Sequence, residues 1–219
     1  MSVARNKELH RLKAAGCRCI QVEEPVLHFT ADQYPDDVEA LRLNLECLSR
    51  ELEGLEDIEI RIHTCWGNPN MQRVFDDNSL RNSLEMYLFE AKGDVWTIET
   101  KDNDFQEIGL FGPYKSDLPK RICVGAVSHR TLQADRAGDV ARDIRRCLEC
   151  IPPEKLVVSS DCGFGRQGCN REIAFYRASA IAQGCNIVRQ ELGLEPTYVP
   201  AADPALQTDV VRSLGEEWV

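Results

Sequence analysis

Two hydrophobic periods alternate along this chain. Five short runs rich in Val, Ile and Cys read as strands: Cys17 to Val22, Ile58 to Ile62, Val95 to Ile98, Ile122 to Val127 and Leu156 to Val158. Between them, apolar residues recur at steps of three and four, the signature of amphipathic helices. The first helix is expected over Glu8 to Ala15, with Leu9 and Leu12 on one face. The second carries Val38, Leu41, Leu45, Leu48 and Leu52, and the third runs from Leu80 to Ala91. The fourth spans Asp139 to Ile151 and the last Arg171 to Leu192. Gly16, Gly54, Gly93 and Gly193 stand where helices should stop. The stretch from Thr100 to Pro119 reads as loop with a short helix, and residues 194–219 as an irregular tail. The expected organisation is thus a βα domain over 1–193 followed by that tail.

Strands that alternate with helices pair in parallel and give an α/β architecture. In parallel sheets and barrels, ligands bind at the carboxyl ends of the strands. The chemically distinctive residues of this chain fall at those ends. Glu23 and Glu24 follow the first run, His63 and Cys65 the second, and Glu99 the third; His129 follows the fourth, and Asp161 and Cys162 the fifth.

Composition narrows the range of functions. Lys and Arg number 26 against 36 Asp and Glu, a net charge of -10, which argues against a nucleic-acid partner needing clustered cations. The first residues lack an apolar signal segment, and no later stretch approaches a membrane span, so a cytoplasmic protein with no membrane partner is expected. The ten cysteines are scattered through apolar segments, so reduced thiols are expected. Cys147 and Cys150 form a C-x-x-C spacing on a helix without a second pair, which favours packing over metal. His10 and His28 have no ligand context and are expected at the surface.

His63 and Cys65, two residues apart on an extended backbone, point the same way. With Glu99 and Cys162 they make an N/S/O/S donor set suited to tetrahedral zinc. The set is spread from residue 63 to residue 162, which favours catalysis over a closed structural site built from short loop spacings. Two thiolates and a carboxylate make an electron-rich site suited to activating a thiol, the carboxylate being the ligand most easily displaced. A water-activating hydrolase site more often uses His and carboxylate. His129, within Val127-Ser-His-Arg-Thr-Leu-Gln133, is placed to give or take a proton. Glu23 and Glu24 can hold a substrate ammonium or a neighbouring side chain. Gly163-Phe-Gly165-Arg166 lacks the Lys-Ser/Thr of a phosphate loop.

Four stretches in order carry a family resemblance: Ile20-Gln-Val-Glu-Glu-Pro25, His63-Thr-Cys65, Val95-Trp-Thr-Ile-Glu99 and Ser160-Asp-Cys-Gly163. With them the chain resembles the catalytic domain of cobalamin-independent methionine synthase over most of Lys7 to Leu192. The resemblance implies zinc held by His63, Cys65, Glu99 and Cys162, and proton handling by His129. It implies methyl transfer to a thiol resembling homocysteine from a donor resembling 5-methyltetrahydropteroyltriglutamate. Glu23 stands where methionine synthases have an aspartate that contacts the thiol substrate. The wording of His63-Thr-Cys-Trp-Gly-Asn68 and Asp161-Cys-Gly-Phe-Gly165 leans toward the shorter branch, which includes relatives similar to epoxyalkane:coenzyme M transferase. The family fold is a TIM (β/α)8 barrel, and these five strand–helix units match its fourth to eighth strands. An incomplete barrel leaves bare parallel edges. It implies a non-catalytic zinc-binding fragment, self-association, or a complementing chain that supplies the missing strands.

Overall fold

The structure, a computed structural model, describes residues 1–67, 79–165, 168–203 and 205. Asn68, Arg166 and the tail beyond residue 205 lie outside the described residues. Five strands form one sheet: β1 (Cys19–Glu23), β2 (Glu59–His63), β3 (Val95–Ile98), β4 (Arg121–Val127) and β5 (Leu156–Ser160). Their spatial order is β1-β2-β3-β4-β5 and every pair is parallel. A doubly wound sheet reverses direction at a switch point, whereas unbroken sequential order is the winding of a barrel wall. The fold is an incomplete (β/α) barrel of five strands.

The helices are α1 (Ser2–Ala14), α2 (Pro25–Gln33), α3 (Val38–Glu51), α4 (Ala137–Leu148) and α5 (Arg171–Glu191). One face of the sheet packs against this layer through Ile20, Val22, Ile60, Ile62, Ile98 and Ile122, all buried. The opposite face is polar where the sheet meets its β1 edge. In β1, Cys19, Gln21 and Glu23 are exposed while Ile20 and Val22 are buried. On that inner face Glu59 accepts from Arg61 at 2.6 Å and from Arg121 at 2.6 Å, and these guanidinium contacts hold its carboxyl down to about 2.

Two elements differ from the sequence reading. Glu-Glu-Pro25 begins a helix instead of merely ending a strand. Pro25 sits at its first position, and the Glu24 carboxylate accepts from Val26 and Leu27 N–H at 3.1 and 3.3 Å. His28, on this helix, is consequently buried and not at the surface. It bonds Ser83 Oγ at 2.6 Å and lies 3.7 Å, centroid to centroid, from the Trp66 ring. The expected helix from Leu80 to Ala91 is shorter: turns at residues 81–83 lead into a helical stretch over residues 84–90, most of it the π-helix Met86–Glu90. Its apolar period is real, since Leu80, Leu84, Tyr87 and Leu88 are all buried. The backbone start is captured from outside, with Glu107 accepting from Leu80 N–H at 2.9 Å.

Candidate metal and thiol site

The residues at the carboxyl ends of β2, β3 and β5 converge. A sulfur of Cys65, a carboxylate oxygen of Glu99 and the sulfur of Cys162 all lie within 4.8 Å of one another. Each follows its strand by one or two residues, so the parallel register aligns the three loops. The Cys65 thiol donates to Glu99 Oε1 at 3.2 Å, and Gly67 N–H donates to its sulfur at 3.3 Å. The neighbouring Cys162, burial and Glu99 together push the Cys65 thiol well above its ordinary range. Burial likewise raises the Glu99 carboxyl, opposed by Arg130. Two sulfurs and a carboxylate crowded in a half-buried pocket repel as anions, and a divalent cation between them relieves that repulsion. The donor set therefore fits a soft or borderline metal such as zinc.

His63 stands beside this cluster without joining it. Its Nδ1 bonds Glu23 Oε2, and its Nε2 lies 3.3 Å from the Asp161 carbonyl oxygen. Burial alone would lower the imidazole, but the Glu23 carboxylate and Cys162 raise it on balance. Glu23 itself is held below the usual carboxylate range by His63 and is 61% exposed at its side chain. A hollow of about 430 Å³ on the inner face of the sheet is lined by Glu23, His63, Thr97, Ser159 and Cys162, among others. Glu24, spent as the α2 cap, is buried away from it.

His129 is buried after β4, with Nδ1 3.6 Å from Asp102 Oδ2. Asp102 comes from the 3₁₀ turn Lys101–Asn103 behind Glu99, and Glu99, Asp102 and His129 form a second group of converging ligand-type atoms. Arg130 joins the two groups. It reaches Glu99 Oε2 at 2.9 Å, Asp102 Oδ2 at 3.1 Å and the Gly67 carbonyl at 3.3 Å. Nothing in the sequence marked Arg130 or Asp102, because a charged residue after a strand usually faces solvent.

Asp161 fixes the frame. Its Oδ1 accepts from Thr100 and Lys101 N–H at 2.7 and 2.9 Å, and its Oδ2 accepts from Asp102 N–H at 2.8 Å. Burial and the neighbouring Asp102 push this carboxyl upward, against the pull of those donors. The β5 loop thereby grips the turn that follows Glu99. Gly125 on β4 makes room for the grip: a Cβ there would sit 2.0 Å from Asp161 Oδ1 and 2.6 Å from its Cα. From outside, the fully buried Arg177 of α5 donates to the carbonyls of Thr131 and Gln133 and packs over the Phe164 ring at 5.7 Å. It ties the His129 loop to the Cys162 loop.

Comparison with known proteins bears on the fold and the family. Residues 1–181 match the family model described as "Cobalamin-independent synthase, Catalytic domain". Methionine synthase of Saccharolobus solfataricus is 27% identical over 192 residues, covering 88% of this chain and 51% of that protein. Methionine synthase of Sulfurisphaera tokodaii is 26% identical over 187 residues, covering 85% and 48%. Among solved structures, a B12-independent methionine synthase from Shewanella sp. W3-18-1 in complex with selenomethionine superposes with a TM-score of 0.71. It is 24% identical and is covered over 54% of its length, against 87% of this chain. A putative vitamin-B12 independent methionine synthase from Listeria monocytogenes gives a TM-score of 0.59 at 19% identity. The chain spans about half the length of the curated relatives it matches.

Proposed function

The chain belongs to the cobalamin-independent methionine synthase catalytic-domain family, and we propose that it serves zinc-dependent transfer of a methyl group to a homocysteine-like thiol from a methyl-folate-like donor. The observation that carries this reading is the meeting of Cys65, Glu99 and Cys162 at the carboxyl end of a parallel sheet. In this reading these three residues hold the metal, and His63 completes the set by releasing the Asp161 carbonyl. Bound there, zinc lowers the pKa of a coordinated thiol and keeps it as a nucleophilic thiolate.

The remaining residues have roles their positions support. Glu23, exposed on the inner hollow and ionised by its contact with His63, pairs with the ammonium of the amino-acid thiol. Glu24 holds the turn that presents Glu23. Asp102 orients the His129 ring through Nδ1, leaving Nε2 to handle the proton. Arg130 binds one oxygen of Glu99 and so leaves the other for the metal. The polar inner face and the β1 edge, which pairs on one side only among the described residues, suit covering by further strands. Those strands come from self-association or from a complementing segment. Residues 1–193 form the catalytic unit and residues 194–219 an appended tail.

Cobalt substitution tests the reading. Cobalt-loaded protein should show a sulfur-to-metal charge-transfer band that intensifies when homocysteine is added and not when methionine is added. A band indifferent to both would refute thiol activation at this site.

A further inference from the structure

In the sheet register Glu23 of β1 lies beside His63 of β2, and both side chains line the inner hollow. The His63 side chain is only 5% exposed, and oxygen meets its ring from two sides. Nδ1 bonds the Glu23 carboxylate through Oε2, whereas Nε2 lies 3.3 Å from the carbonyl oxygen of Asp161, the residue before Cys162. The two acceptors are unequal. A hydrogen bond to a carboxylate is roughly twice as strong as one to a neutral carbonyl. The ring therefore gives up its Nε2 contact first, and Nε2 is the nitrogen that faces the Cys162 loop.

An imidazole binds a metal only through a nitrogen that carries no proton, and the hydrogen bond made by the other nitrogen decides which one that is. Glu23 makes that bond, and Glu23 is itself held. Its Oε1 accepts from Gln21 Nε2 at 2.9 Å, and Gln21 stands two residues earlier on the same exposed face of β1. Gln21, Glu23 and His63 thus form a chain of contacts that ends beside the Cys65, Glu99 and Cys162 group. Without the carboxylate, the neutral ring would favour Nε2–H donating to the Asp161 carbonyl, the tautomer closed to a metal on that side.

We propose that Glu23 is a positioning residue of the metal centre: its carboxylate keeps the proton on His63 Nδ1 and so presents Nε2 to a metal held by Cys65, Glu99 and Cys162. This inference rests on the zinc reading above and adds a second duty to the carboxylate that pairs with the substrate ammonium. The two duties are compatible, because a carboxylate has about four lone-pair sites and His63 and Gln21 take one each.

The test is chelator competition for zinc on the purified full chain, comparing the parent with Glu23→Leu, Glu23→Gln, His63→Ala and the double variant Glu23→Leu with His63→Ala. Glu23→Leu should lower zinc affinity about 10–100-fold, as loss of a residue that orients a histidine ligand typically does. Glu23→Gln keeps an oxygen for Nδ1–H and should recover most of that loss. In the His63→Ala background, Glu23→Leu should change affinity by less than about twofold, because Glu23 acts on the metal through that ring. A purely structural or long-range charge effect of Glu23 would persist there. Equal zinc affinity in the parent and Glu23→Leu, or the same loss from Glu23→Leu with and without His63, would overturn the proposal and leave the zinc reading standing. A parent chain that binds no zinc would overturn both.

Discussion

Gly125→Ala is the most discriminating single change in the frame of the site. The new Cβ would lie 2.0 Å from Asp161 Oδ1, 2.6 Å from its Cα and 2.7 Å from its N. Carbon and oxygen atoms pack no closer than about 3.3 Å, so β4 and the β5 loop must part by more than ~1 Å. That separation withdraws the Asp161 carboxylate from Thr100, Lys101 and Asp102 N–H. Each hydrogen bond to a charged group contributes about 1.5–3 kcal/mol, and partial recovery through water limits the net loss to about 3–5 kcal/mol. Urea unfolding followed by circular dichroism should show the midpoint fall with an unchanged slope. The double variant Gly125→Ala with Asp161→Ala should not recover, because two of the three close contacts are to backbone atoms. A loss below about 1 kcal/mol, or full rescue in the double variant, would refute the reasoning.

Other predictions concern separate parts of the molecule. His28 is held down to about 3 by burial, whereas an unfolded histidine titrates near 6.5. The unfolded chain therefore binds the extra proton as pH falls. The stability this group confers is complete above about 6.5 and is lost progressively toward 3, up to about 5 kcal/mol. His28→Phe should flatten that part of the acid limb in urea unfolding at a series of pH values, and an unchanged limb would contradict the burial argument. Arg130→Gln should weaken zinc binding about 10–100-fold in chelator competition, as loss of a residue that orients a ligand typically does. Arg130→Lys should lie between the two, since it keeps the charge but loses the planar fork. Equal affinity in all three would remove Arg130 from that role. Glu23→Gln should weaken the response of the cobalt spectrum to homocysteine while leaving its response to a thiol without an ammonium group.

The strands and the placement of His63, Cys65, Glu99, His129 and Cys162 at their ends were legible because period and punctuation are local. Five runs bounded by Gly and Pro need no tertiary knowledge to order. The helix α2 escaped because Glu-Glu-Pro reads equally as a strand stop and as a cap followed by proline at the first helical position. Burial of His28 followed from that helix and was invisible without it. The segment from Leu80 to Ala91 showed a true apolar face, but its backbone path depends on Glu107, distant in sequence. Arg130, Asp102, Gly125 and Arg177 act through partners 25 or more residues away, and only the folded sheet brings those partners near. Gly125 had a potential signal, as a glycine inside a strand marks close backbone approach.

The central claim is that Cys65, Glu99 and Cys162, with His63, hold a zinc ion. It is tested most directly by elemental analysis of the purified chain beside its Cys162→Ser variant, with Cys147→Ser as a control thiol. The account expects one zinc per chain in the parent and the control, and a sharp loss in Cys162→Ser. Zinc absent from the parent, or unchanged in Cys162→Ser, would contradict it.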